Sequence, residues 1–141
     1  MKKNKLFPVL LSLGLAFGVG GVTALSFPTG ASAEVKDMGS DTLYEKDGIE
    51  NVKFNVTGGY GHLKVYVKNT GDFNLTVNLK HKGTSKIYIE GKELKPGEEL
   101  EWNSNNNYSQ GVRAGEYDLQ LHSGKKTLEA YYAYKSSDIK W

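Results

Sequence analysis

Cysteine is absent from this 141-residue chain. No disulfide can therefore stabilise the fold, and thiol catalysis, thiolate zinc sites and thiol redox chemistry are all excluded. Whatever structure the chain adopts must be held together by the packing of its apolar side chains.

Sequence motifs of the common catalytic and cofactor sites are also missing. The chain has no Walker phosphate loop, no H-E-x-x-H pair, no EF-hand loop and no G-x-S-x-G elbow around a nucleophilic serine. The sequence therefore indicates no cofactor. Catalysis gains no support but is left open, because a site can be built from residues that are scattered in sequence.

The only long uncharged run lies at the start of the chain. A basic segment, residues 1–5, precedes the 20 uncharged residues from Leu6 to Leu25, and Ala31 and Ala33 form a small-x-small cleavage pattern. This order is that of a secretory signal, so we expect cleavage after Ala33 and a secreted product. The alternative is an uncleaved membrane anchor, since 20 residues can span a bilayer. Glycines and Pro28 weaken that helix, and the segment resembles the signals of Gram-positive bacteria.

Net charge of one sign is also lacking once the signal is removed. Lys2, Lys3 and Lys5 leave with it, so 15 basic side chains face 16 acidic ones and the net charge is about −1. A strong electrostatic attraction to nucleic acid or anionic lipid is not expected. The expected partners are a protein or a polysaccharide of the cell envelope or matrix, with no nucleic acid, no membrane after cleavage, and self-association as a further possibility.

Alternation of apolar and polar residues dominates the rest of the chain. The clearest example places Phe73, Leu75, Val77 and Leu79 on one face, with polar residues between them. Turn residues separate such segments every 8–12 positions, which is typical of a β-sandwich. We predict an all-β, single small antiparallel sandwich of about 7–8 strands. Its predicted strand segments are residues 49–57, 63–68, 73–80, 87–89, 100–102, 117–121 and 127–135.

Turn chemistry and periodicity divide the chain into four parts. Residues 1–33 are the signal, 34–48 a flexible lead-in without period, 49–135 the sandwich domain, and 136–141 a tail that either frays or docks Trp141. Two hairpins are predicted, from Val65 to Leu79 through Asn-Thr-Gly-Asp and from Tyr117 to Tyr134 through Ser-Gly-Lys-Lys.

Two stretches carry a resemblance to a known class of domain. The Pro-Gly turn in Leu94–Trp102 and the Gly-x-Tyr that opens Gly115–Gly124 resemble small immunoglobulin-like domains of secreted Gram-positive bacterial proteins. The resemblance covers about residues 49–135 and implies an immunoglobulin-like sandwich. It identifies no functional residue.

The histidines and the clustered glutamates are candidates for chemistry. His62, His81 and His122 lack the short spacing of metal ligands, so we expect surface positions near turns and no metal site. Glu99 and Glu101 share one strand face about 7 Å apart. A pair of carboxylates would suit a glycosidase, but the solvated face of a strand has the same pattern, and we favour that interpretation.

The preferred contact patch is the polar stretch from Trp102 to Arg113. Asparagine and glycine favour turns, and loops held by a rigid sandwich often bind ligands, although a purely structural loop has the same composition. Tyr131 is expected to point outward, as are Tyr66 and Tyr88, and exposed tyrosines suit binding surfaces. The predicted binding residues are Trp102, Asn105, Asn106, Asn107, Tyr108, Arg113 and Tyr131.

These observations together favour a secreted, non-enzymatic β-sandwich that binds a cell-surface, matrix or protein partner. One alternative is a small secreted hydrolase that uses Glu99, Glu101 or the histidines. Another is an assembly or antagonist protein that acts through an edge strand, since unpaired strand edges can join chains.

Overall fold

A computed structural model describes residues 34–141, and the predicted signal with Ala31 and Ala33 lies outside the described residues. The described chain forms eight strands and one short turn of 3-10 helix, Ser104–Asn106. The strands are β1 Val35–Glu45, β2 Ile49–Val56, β3 His62–Asn69, β4 Leu75–His81, β5 Ile87–Leu94, β6 Glu99–Asn103, β7 Gly115–His122 and β8 Leu128–Ser137.

Two four-stranded antiparallel sheets make up the fold, as the alternating pattern predicts. Sheet A has the order β1-β8-β3-β6 and sheet B the order β2-β7-β4-β5. Successive strands cross between the sheets, except that β4 pairs directly with β5. This eight-stranded arrangement is a jelly roll. The sandwich is confirmed, but the strand order is not the immunoglobulin order, in which the first two strands share a sheet.

The core lies between the sheets and is built by the residues that alternate inward. Leu75, Val77 and Leu79 are at most 1% exposed, as predicted. Phe73 is an exception: it lies in the bend before β4 and is 41% exposed. The other large aliphatic side chains that are fully buried are Val56, Leu63, Val65, Val67, Leu94, Leu119, Leu121 and Leu128. Each such burial contributes about 1.5–3 kcal/mol, so the core can form without disulfides.

Both predicted hairpins are wrong, because in each case the two strands belong to opposite sheets. The segment between β3 and β4 crosses the edge of the sandwich instead of folding back. Asn69 is 1% exposed and organises this crossing. Its side-chain nitrogen donates to the carbonyl oxygens of Phe73 and Leu94 at 2.8 and 2.9 Å, and its side-chain oxygen accepts from Gly71 N–H at 3.0 Å.

Residues 34–48 are not the flexible lead-in that the sequence suggests. Strand β1 pairs with β8 from Val35 opposite Ser137 to Glu45 opposite Leu128. Register parity puts Asp37, Gly39 and Asp41 on the inward face of β1, and this face therefore lacks the apolar alternation that identifies the other strands. This segment is therefore a strand because it pairs with β8, and not because of an alternating pattern of its own.

The tail beyond residue 135 continues the fold. Ser136 and Ser137 belong to β8 and are fully buried. The indole Nε1–H of Trp141 donates to the carbonyl oxygen of His62 at 3.0 Å, so the tryptophan docks rather than frays. Within residues 34–141, no helix has the length and apolar character needed to cross a membrane.

Candidate functional site

The loop after β6 is held in one shape by its own side chains. Asn103 Oδ1 accepts the Asn105 N–H at 2.8 Å and caps the 3-10 turn. The Ser104 side chain is fully buried, and its Oγ accepts the Leu63 N–H at 2.9 Å. The Tyr108 N–H donates to the Ser104 carbonyl at 2.7 Å. The polar loop predicted from composition is therefore fixed to β3.

Three half-buried rings meet beside this loop. The ring centroid of Tyr88 lies 6.1 Å from that of Trp102 and 5.1 Å from that of Tyr108, in edge-to-face contacts. Trp102 and Tyr108 are 6.4 Å apart. Lys86 Nζ lies over both tyrosine rings at 5.4 and 5.3 Å, within the range of cation–π attraction. The structure thus joins two predicted contact residues to Tyr88 and Lys86, which are remote in sequence.

A polar cleft of about 210 Å³ opens where β3, β6 and the 3-10 turn adjoin. We call it the β3–β6 cleft. Lys64 lies opposite Asn103 in the strand register, and Val65 lies opposite Trp102. Its lining residues are Lys64, Val65, Glu101, Trp102, Asn103 and Asn106. Trp102 and Asn106 were predicted as contacts, whereas the contribution of Lys64 depends on a strand pairing that the sequence does not reveal.

The charged groups around the cleft influence one another. Burial lowers the pKa of Lys64, and the nearby Glu101 carboxylate only partly opposes this effect. Lys135 lies directly across the β3–β8 ladder from Lys64. Its pKa is lowered by burial and also by the positive charge of Lys64. Two lysines are thus held side by side next to a single cleft-lining carboxylate.

Trp141 borders this charged corner. Lys64 Nζ lies 4.9 Å from the centroid of the Trp141 ring. The Asn105 side-chain nitrogen donates to the Trp141 carbonyl oxygen at 3.2 Å. Asn105, a predicted contact residue, therefore positions the tail beside the cleft and does not line it.

Two further predicted contact residues lie outside the cleft. Asn107 is exposed, and its backbone N–H donates to the Ser104 carbonyl at 3.2 Å. The Arg113 residue is exposed, while its carbonyl oxygen accepts the Tyr117 hydroxyl at 2.6 Å. This bond resembles the tyrosine corner of other β-sandwiches.

The exposure predicted for Tyr131 is wrong. It does lie on the outer face of sheet A, yet it is only 2% exposed. Its ring makes an edge contact with Tyr66 at 6.0 Å, and Tyr66, itself 8% exposed, lies opposite Ala133 in the register. Alternation correctly gave the face, but neighbouring side chains on the central strands cover that face.

The glutamates of β6 do not form a facing carboxylate pair. Glu99 and Glu101 are both exposed, and Glu101 is the one that lines the cleft. Burial, followed by the charge and hydrogen bonding of Glu99, raises the pKa of Tyr66 to about 12. Glu99 is therefore associated with Tyr66 and not with the cleft.

The histidines divide by environment. His122 is exposed, but His81 is 5% exposed, so the predicted surface position is wrong for His81. His81 Nδ1 accepts the Thr84 N–H at 3.0 Å, and its Nε2 lies 2.9 Å from the Ala114 carbonyl oxygen. Both ring nitrogens thus have structural partners. No group of three or more His, Cys, Asp or Glu side chains within residues 34–141 is placed to hold a metal ion.

Comparisons with known proteins identify no family for this chain. No family model and no curated protein matches the chain. A chain of similar structure comes from Bacillus endospore appendages, which are described as a novel family of disulfide-linked pili. It is 11% identical, the match covers 79% of this chain and 95% of that one, and the TM-score is 0.46. The present chain, by contrast, has no cysteine.

Proposed function

We propose that this chain is an exported, non-enzymatic binding domain whose β3–β6 cleft takes one unit of a hydroxyl-rich polysaccharide of the cell envelope or matrix. The observation that carries the proposal is the set of polar groups around the cleft. It contains an ammonium donor from Lys64, a carboxylate acceptor from Glu101, and two amides from Asn103 and Asn106 that both donate and accept.

Sugar hydroxyls are matched by this mixture of donors and acceptors. Small-ligand sites place a few polar groups where they fix the orientation of the ligand. The loop that supplies Asn103 and Asn106 is held by its Asn103 cap and by the buried Ser104, so little ordering is needed on binding. The ring of Trp141, which lies beside Lys64, is suited to the apolar face of a longer glycan.

A hydrolase is less well supported by the same cleft. A glycosidase requires two carboxyl groups on opposite sides of the scissile bond. Among the residues that line the cleft, Glu101 alone carries a carboxyl group. Binding without cleavage is therefore the function that this geometry favours.

The test is titration calorimetry of the exported protein with soluble fragments of envelope and matrix polysaccharides. We expect Lys64→Ala and Asn106→Ala each to weaken binding at least about tenfold, which corresponds to about 1.4 kcal/mol. Lys92→Ala and Asn55→Ala replace exposed residues outside the cleft and serve as matched controls. Unchanged affinity in both cleft variants would refute the site. Release of shorter saccharides during the titration would support the hydrolase instead.

Self-association through β1 is a second candidate. This strand has eleven residues and, among residues 34–141, pairs with β8 alone, so no described strand covers its other edge. Val35, Met38 and Tyr44 are 37%, 65% and 42% exposed along it. The acidic side chains of β1 oppose pairing with an identical copy. Light scattering over a wide concentration range tests the candidate, and a monomer at the highest concentration would exclude it.

A further inference from the structure

The backbone nitrogen of Glu34 lies against a carboxylate. It is 2.9 Å from Asp138 Oδ1, and the Asp138 N–H returns a bond of 3.3 Å to the Glu34 carbonyl oxygen. The Tyr60 hydroxyl donates to Glu34 Oε1 at 3.3 Å. Residue 34 is thus bonded both to the tail after β8 and to the loop between β2 and β3.

This nitrogen is the atom that the predicted cleavage would release. Hydrolysis of the Ala33–Glu34 peptide bond by a leader peptidase breaks the C–N bond. Water supplies the hydroxyl of the new Ala33 carboxyl group, and the nitrogen of Glu34 becomes a protonated α-amino group. We propose that Glu34 is the first residue of the exported protein and that its α-ammonium group forms an ion pair with Asp138.

A charged nitrogen would bind the Asp138 carboxylate more strongly than an amide N–H does. An amide N–H provides one neutral donor to the carboxylate, whereas an ammonium provides three donors and a full charge. The Glu34 carboxylate is the other negative group at this point, and it is the main cause of the raised pKa of Tyr60, ahead of burial and Asp138. Asp138 is the titratable group bonded to the nitrogen, and the Glu34 carboxylate with the Tyr60 hydroxyl bonded to it are the titratable groups next to this pair.

The ion pair would strengthen the attachment of β1 to β8. Leu43 is the β1 residue that packs, partly buried, against the main core, so β1 is held largely by its ladder with β8 and by the bonds of Asp37 to Thr57. An ion pair between the start of β1 and the residue just beyond β8 would stabilise that end of the β1–β8 ladder. This role is independent of the proposed ligand cleft.

The sign of the pH dependence follows from the charge. Because Asp138 favours the ammonium form, the pKa of the α-amino group is expected to lie above the usual ~7.7 of this group. Its stabilising effect is present below that pH and is lost as the pH rises through the raised value. The effect on a surface pair is modest and is screened by salt.

The first experiment is mass spectrometry of the exported protein, made from the full-length gene with its own signal in a Gram-positive host. An N-terminus at Glu34 is expected. A retained signal, or a start at any other residue, would overturn the proposal.

The second experiment titrates the α-amino group of that exported protein by NMR at low salt. We expect a higher pKa in the wild type than in Asp138→Asn, an intermediate or retained value in Asp138→Glu, and no change in the control Asp72→Asn. We also expect amide exchange of residues 35–38 at pH 6.5 to be roughly two- to fivefold slower than after selective Nα-acetylation. Equal α-amino pKa values in wild type and Asp138→Asn, or equal exchange rates, would overturn the pairing without affecting the ligand cleft.

Discussion

At the scale of single residues, Asp37 of β1 shows how one carboxylate joins two strands, β1 and β8, to the turn that follows β2. Its oxygens accept the Thr57 N–H at 2.7 Å, the Thr57 hydroxyl at 2.9 Å and the Ser136 hydroxyl at 2.7 Å. Burial alone would raise the pKa of Asp37, but these hydrogen bonds and nearby Lys36 outweigh it and hold the pKa below the usual value. The group is therefore bound in its charged form.

The lowered pKa of Asp37 predicts a loss of stability in acid. The contribution is present above the ordinary pKa of 3.8 and is lost as the pH falls through the lower folded-state value. Asp37→Asn should lower the free energy of unfolding at pH 7 by about 1–3 kcal/mol, because hydrogen bonds to a charged group are removed. Urea unfolding at pH 7 and pH 3 measures this. A deficit in Asp37→Asn that does not shrink at pH 3 would contradict it, and Asp72→Asn is the control.

Two buried tyrosines give a matched pair of substitutions. The hydroxyl of Tyr117 donates to the Arg113 carbonyl at 2.6 Å, whereas the buried hydroxyl of Tyr131 has only a contact with the Ser40 side chain that falls short of good hydrogen-bond geometry. We expect Tyr117→Phe to lower the free energy of unfolding by about 1 kcal/mol, and Tyr131→Phe to change it by less than about 0.5 kcal/mol or to raise it. Chemical denaturation measures the free energy of unfolding of both variants. Equal losses in the two variants would show that the bond to Arg113 contributes nothing to stability.

At the scale of elements, β1 shows that a strand can lack the alternating apolar pattern by which strands are predicted. Its inward positions hold Asp37, Gly39 and Asp41, so no apolar alternation identifies it. Gly39 is required there because an added Cβ would lie 2.8 Å from Tyr134 Cε1. The Tyr134 ring is itself stacked on Phe54 at 4.2 Å, which limits its movement.

We therefore expect Gly39→Ala to destabilise the protein by about 1–3 kcal/mol, as overpacking commonly does. Gly58→Ala is the matched control, since no atom lies within 4 Å of the Cβ it would add. Thermal unfolding followed by circular dichroism compares the two variants. A Gly39→Ala protein as stable as the control would show that the Tyr134 ring moves freely.

The residues of the β3–β6 cleft were only partly predictable from the sequence, because pairing between distant strands brings some of them together. The composition of residues 102–113 indicates a loop, and the structure does place Trp102 and Asn106 at the β3–β6 cleft. Lys64 reaches the same cleft because β3 pairs with β6, although its partner Asn103 lies 39 positions further along the chain. No local pattern encodes such a pairing.

At the scale of the whole molecule, the jelly-roll order makes nearly all strand pairing non-local. The first strand pairs with the last, and β4–β5 is the one pairing between successive strands in residues 34–141. In folds of this kind, the chain loses the entropy of loop closure before its non-local contacts begin to stabilise it. Slow folding is the expected consequence.

We expect a single cooperative unfolding transition and refolding on the millisecond-to-second scale. Trp102 packs against the core and Trp141 holds the C-terminal tail against β3, so their fluorescence reports on the core region and on the tail region. The variants Trp141→Phe and Trp102→Phe each keep one tryptophan and are followed by stopped-flow refolding and urea titration. After correction for differences in stability, we expect both variants to show one transition and the same refolding rate. Distinct refolding rates at the two tryptophans would indicate that the regions fold separately.

The sequence by itself determined the β class, the alternation that builds most of the core, the absence of disulfides and the polar character of the 103–113 loop. These properties are local, since they depend on which side chains stand two apart and where turn residues interrupt them. Only the tertiary structure decided the jelly-roll order, the strand role of residues 35–45, the burial of Tyr131 and His81, and the meeting of Lys64 with Asn103. Each of these depends on which distant strands pair, and pairing is selected by the burial and hydrogen bonding of the whole chain at once.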